Sequence, residues 1–226
     1  SSYFILNLLF KKEDIINKLN MSFLLLSCQL ILITQFLSLF KMLDEKYYLS
    51  IIMIIFFISI FLSRKIKKSL KLDLKEINYL KNRLSQYLKR NKLLAVFFIV
   101  MLISMLWRIF LIIYVPPNNF DSMTYHLSRV AYWIQHKSLE YFYTHNRRQV
   151  VHPFNAEILL LWTMIATKKD FLCGFIQFIC YFLAGSLLYK CLKEFLKLNT
   201  IQSITLMLIW YSLPENVLQS TSTQND

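Results

Sequence analysis

One carboxylate, Asp121, stands among the few side chains of this sequence that could do chemistry. All four histidines (His126, His136, His145, His152) and three of the four prolines fall between Pro116 and Pro153. A carboxylate at a membrane edge, beside His and Arg, suits a general base or a metal ligand. The plainer alternative is that Asp121 caps the helix that follows it. Arg147 and Arg148 could hold a phosphate bidentately, or form a solvated or headgroup-binding pair. The candidate substrate-binding residues are His126, Arg129, Arg147, Arg148 and His152. The histidine spacings of 10, 9 and 7 match no compact metal motif. No cofactor is fixed by these residues, and a divalent metal is left open.

The elements around them can be read from periodicity. Met123, Leu127, Val130 and Ile134 give Ser122–Lys137 an apolar helical stripe. His126, Arg129, Trp133 and Lys137 form its second face. This predicts a helix lying on the outer membrane surface, with Tyr132 and Trp133 at headgroup level. The 12-residue apolar stretch Ala156–Thr167 carries Glu157 and could span or lie in the interface; the interfacial reading is preferred because it leaves Lys190, Lys193 and Lys197 in the cytoplasm. Arg108, seven residues before the end of an apolar run, is expected to snorkel outward beside Trp107 or to reach a phosphate in a polar cavity.

Composition places these pieces in a membrane. Of 226 residues, 56% are hydrophobic and 17% charged, with 19 Phe and only 2 Gly. That excludes disorder, collagen and a turn-rich all-β chain. The four cysteines form no C-x-x-C pair and read as small packing residues. Residues 64–92 hold +9 of the +13 net charge between two apolar runs. Two readings compete, a nucleic-acid patch and a cytoplasmic loop under the positive-inside rule; the apolar runs on both sides favour the loop, so no nucleic-acid partner is expected. Ile66, Leu70, Leu74, Ile77, Leu80, Leu84 and Leu88 recur at helical spacing there, so the loop predicts a basic amphipathic helix on anionic lipid. Phe4–Leu19 predicts a short amphipathic helix ahead of the first span.

The fold class is all-α: a polytopic integral membrane protein with about five transmembrane helices plus surface-lying amphipathic helices. The spans fall at 21–40, 47–63, 93–115, 171–189 and 201–218. The N-terminus is inside, and the loop 116–170 is extracytoplasmic. Residues 1–92 form an N-terminal two-span region with the basic segment, and 93–226 form a second transmembrane module. The chain opens at Ser1 without Met and stops just after an apolar run, so it reads as the front portion of a larger enzyme.

The stretch Pro117-Asn-Asn-Phe-Asp-Ser-Met-Thr-Tyr-His-Leu-Ser-Arg-Val-Ala-Tyr-Trp-Ile-Gln135 resembles the first extracytoplasmic loop of bacterial polyprenyl-phosphate-sugar-dependent glycosyltransferases. These are GT-C membrane enzymes, related to protein O-mannosyltransferases and the lipid A aminoarabinose transferase. Arg148-Gln149, His152-Pro153, Glu157 and the closing Gln219–Asp226 are similar too. The resemblance covers 93–226. It implies that Asp121 is the catalytic or metal-coordinating carboxylate and, by a looser match, that Asp226 adds a second. It also implies a polyprenyl-phosphate-sugar donor and an acceptor on a cell-surface glycan, lipid or protein. The enzyme would be multi-pass in the cell (inner) membrane among membrane lipids, its active site outside the cytoplasm. Two features depart from the family pattern: two spans precede the usual first one, and Ser122 follows Asp121 where some relatives carry a second acid. The rival classes are a transporter or lipid flippase and a non-catalytic scaffold. Against a transporter, polar residues crowd the outer edge rather than the midplane.

Overall fold

The computed structural model describes residues 13–63 and 67–224, and every regular element among them is helical. In order, these are α1 (Ile15–Leu39), α2 (Glu45–Ser63), α3 (Lys67–Arg90), α4 (Lys92–Tyr114), a π-helical turn (Ser122–His126), α5 (Leu127–His136), α6 (Arg148–Val151), α7 (Asn155–Thr167), α8 (Gly174–Glu194), α9 (Thr200–Ser212) and α10 (Pro214–Gln219). Three of these, α1, α4 and α8, are long and apolar enough to cross a membrane, which marks the chain as membrane-associated.

The helix boundaries follow capping chemistry. Asp14 accepts the Asn17 amide at 2.8 Å and opens α1. Residues 15–19 run straight into the apolar stretch, so the expected separate helix at 4–19 is not formed there; its first part lies outside the described residues. Asn199 and Gln202 close a reciprocal capping box at the start of α9. Among the described residues, the non-glycine residues with positive φ are Lys41, Lys137, Lys168 and Lys197. Each follows a helix, in the left-handed place that glycine usually takes. A chain with 2 Gly gives those turns to lysine, whose charge suits the helix C-terminus.

The expected span 201–218 is not one helix. α9 stops at Ser212 and α10 starts at Pro214. Proline lacks the N–H the helix needs and crowds the preceding turn. The Trp210 carbonyl instead accepts from the Leu213 amide at 3.3 Å and from the Asn216 side-chain amide at 2.9 Å. Thirteen residues reach about 20 Å, short of the ~30 Å hydrocarbon layer.

The chain forms two compact units. The first comprises Ser1–Leu25, Ile54–Leu106 and Phe182–Asn216. In it, Lys190 of α8 is ion-paired to Asp14, at the start of α1, and to Glu194. Asn20 of α1 donates to Ser186 of α8 at 3.1 Å. Gly185 lets Tyr211 of α9 lie against α8, where its hydroxyl donates to the Phe182 carbonyl at 2.8 Å. A Cβ at 185 would fall 2.1 Å from the Tyr211 ring. Gly185→Ala is therefore expected to expel the ring and lower stability by about 1–3 kcal/mol, read from thermal unfolding of the purified protein. An unchanged melting temperature would refute this packing.

The second unit comprises Leu26–Met53, Trp107–Tyr181 and Val217–Asp226. Its core is α7 packed on α5, with Val130, Trp133, Ile158, Leu161 and Trp162 buried. The Trp162 indole donates to Thr34 at 2.8 Å and stacks on Tyr48. The short apolar helix α7 is thus part of the core of this unit. The turn after α1 is stitched to the turn after α5: Leu43 donates to the Lys137 carbonyl at 3.2 Å, and Lys137 pairs with Asp44 at 2.7 Å. Lys137 holds the Asp44 carboxyl below its ordinary range. Lys41–Glu140 and Lys168–Glu45 add two more pairs.

Candidate functional site

The site lies in the second unit, where the chain turns after α4. Asn119, not Asp121, caps the new helix: its side-chain oxygen accepts the Ser122 amide at 3.2 Å. Asp121 makes no capping bond, which leaves its carboxylate available. The next turn is π-helical, with the Leu127 amide reaching back to the Ser122 carbonyl. Such turns concentrate at functional sites because the extra residue re-aims the side chains.

That turn changes which face is buried. Ser122, Tyr125, His126, Arg129 and Trp133 all point inward, together with Leu127 and Val130. Met123, expected in the apolar stripe, is exposed. Trp133 is buried with its ring edge-on to Phe154, whereas Tyr132 is exposed.

Asp121 keeps 29% of its side chain exposed. One oxygen faces Arg148 Nη1 at 3.4 Å and the other accepts from Gln224 Nε2 at 2.7 Å. The Arg148 guanidinium also lies over the Tyr125 ring, 5.7 Å from its centroid. His152 stacks on the same ring at 5.5 Å, and His126 tilts against it at 4.1 Å. Arg147 is exposed one residue away. Asp121 thus faces Arg148, and Arg148, His126 and His152 meet on the Tyr125 ring.

His126 and Arg129 are placed differently. Both are buried behind this surface. His126 Nδ1 meets Glu157 Oε1 at 2.9 Å, and Arg129 Nη1 stands 3.5 Å from the same oxygen. The Arg129 guanidinium also donates to the carbonyls of Arg148 (2.7 Å), Gln149 and His152 (3.1 Å). Burial lowers its proton affinity, and Glu157 opposes that fall. Arg129 thus shapes the backbone that carries Arg148, and its donors are engaged there. Gln149 completes the scaffold, donating to the Thr124 carbonyl at 2.7 Å and to Ser128 at 2.9 Å.

Arg108 also departs from expectation. It does not snorkel: it is buried, stacked 4.7 Å over Tyr181, with Nη1 donating to Ser220 at 3.2 Å. The second carboxylate implied by resemblance, Asp226, lies outside the described residues. Sequence reasoning missed Gln224 as a partner of the acid and Tyr125 as the ring beneath Arg148. The only signal for Tyr125 was its place in the Asp-x-x-x-Tyr-His stretch.

No family model, curated protein or solved structure matches the chain.

A divalent ion fits Asp121 poorly. Its oxygens face a cationic guanidinium and an amide N–H, both donors. No group of three or more His, Cys, Asp or Glu suited to a metal occurs among the described residues. What the arrangement offers is a partly exposed anion with one oxygen loosely engaged by Arg148. That set can accept a proton and steady an anionic oxygen.

Proposed function

We propose that this chain is a membrane glycosyltransferase moving a sugar from a polyprenyl-phosphate donor to an acceptor hydroxyl, with Asp121 as general base. The supporting observation is the half-exposed Asp121 carboxylate, facing Arg148 with Arg147 exposed alongside, in a protein with three membrane-crossing-type helices. A donor with an isoprenoid tail keeps its phosphate at the membrane edge. An acceptor hydroxyl attacks the anomeric carbon as its proton passes to an oxygen of Asp121. The new glycosidic C–O bond forms while the bond to the phosphate oxygen breaks. The electron pair leaves with polyprenyl phosphate, and Arg147 and Arg148 offset the growing charge.

Two ties support the expected sidedness. Lys190–Asp14 joins the end of α8 to the start of α1, as it would if both lie in the cytoplasm. The Asp44, Glu45 and Lys41 pairs join the first turn to the loop 116–170, as they would outside.

The test supplies membranes containing the full chain with undecaprenyl phosphate bearing radiolabelled glucose, mannose or aminoarabinose. Label should pass to a membrane or envelope acceptor. Uptake of labelled solute without such transfer would overturn the proposal in favour of a transporter.

A further inference from the structure

After Pro214 the chain reaches back to the site. Ser220 accepts from Arg108 at 3.2 Å, Thr223 donates to Ser122 at 2.6 Å, and Gln224 donates to Asp121 at 2.7 Å. Ser122, Ser220 and Thr223 are all buried. Gly174 lets this segment lie close: a Cβ there would stand 2.9 Å from the Thr221 carbonyl. The segment is therefore fixed through its side chains to the two residues that open the π-helical turn.

We infer that Gln224 is a positioning residue for Asp121, and that the segment Ser220–Gln224 is the element that delivers it. The chemistry follows from donor geometry. A carboxylate on a short side chain can rotate about χ2, and Arg148, at 3.4 Å, holds it loosely. The Gln224 amide takes one oxygen at close range and fixes the rotation. The other oxygen is left toward Arg148 and the open side, where an acceptor hydroxyl would arrive. The neutral amide does this without adding a cation that would weaken the base. Thr223 on Ser122 sets the register, so that the next residue reaches the acid and not the helix end. This inference rests on the reading of Asp121 as a base, but its contact can be tested without that reading.

The experiment has two arms on the full-length protein in membranes. The first needs no turnover. Ser122→Cys with Thr223→Cys should crosslink under mild oxidation, because the two hydroxyl oxygens are in contact. Gln224→Met, which keeps length and loses the donor, should raise carbodiimide labelling of Asp121 about 5-fold by mass spectrometry, as expected for the loss of one charge-assisted hydrogen bond. No crosslink, or labelling unchanged in Gln224→Met, overturns the placement. The second arm measures transfer from the lipid donor. Gln224→Met should lower kcat about 10-fold with KM within about 2-fold. Gln224→Lys, which restores an N–H donor, should recover part of that loss, whereas a purely structural role would show no such recovery. Loss confined to KM overturns the positioning role. A crosslink and faster labelling in a protein that transfers no sugar would uphold the placement and overturn the glycosyltransferase reading.

Discussion

Asp121→Asn should abolish sugar transfer while leaving protein abundance and melting temperature unchanged. The substitution keeps the shape of the side chain and one carbonyl oxygen able to face Arg148. It removes the charge and the capacity to take a proton. General-base assistance contributes about 100- to 10,000-fold, so activity should fall by at least two orders of magnitude. The acid caps no helix, so no backbone donor is orphaned. Its ion pair with Arg148 is long and half-exposed, so its loss costs little stability. Transfer assays on membranes with matched protein content check this. Retention of more than about a tenth of wild-type activity would remove Asp121 from the proton-accepting role.

The second large effect is on folding. Glu157 is fully buried and faces both His126 and Arg129. Glu157→Ala leaves the Arg129 guanidinium in the interior without that counter-charge. Breaking a buried pair by removing one partner costs about 3–5 kcal/mol. Glu157→Gln should cost less, because an amide oxygen can still accept from either neighbour. Removing His126 and Arg129 as well would not restore stability. Arg129 also satisfies the carbonyls of Arg148, Gln149 and His152, which an apolar side chain would strand. Chemical denaturation of the purified variants decides the matter: a Glu157→Ala protein within about 1 kcal/mol of wild type would mean the pair is not formed as described. The same variant should lose transfer, since the backbone at 148–152 carries Arg148.

The helical architecture was legible because runs of apolar residues announce themselves. The expected 93–115 became Lys92–Tyr114, and 171–189 became Gly174–Glu194. Pro214 was visible in the sequence, but the apolar count across 201–218 outweighed it; its missing N–H decided the outcome. The phase of the helix after Asp121 was legible in part, since Leu127 and Val130 are buried and Ile134 packs on the core. Met123, Leu127, Val130 and Ile134 look like its buried stripe, yet His126 and Arg129 go inside because Glu157, on another helix, is there to meet them. A polar partner 31 residues away leaves no local trace. The π-helical turn leaves none either. Asp121 and Arg148, which face each other, could be singled out because residue type and crowding of polar groups in one loop are sequence properties. Gln224 could not, because nothing near position 224 records what it touches.

That last separation also sets an order in time. Asp121 and Gln224 are 103 residues apart. At about 5–20 residues per second on the ribosome, the acid emerges roughly 5–20 s before its amide partner is made. Arg148 follows Asp121 by only 27 residues and becomes its first partner. The nascent site therefore passes through a stage in which the acid is held on one side only, and it closes when the polar segment beyond Pro214 folds back. A chain stalled between α8 and α10 would carry most of the helical scaffold and a half-made site.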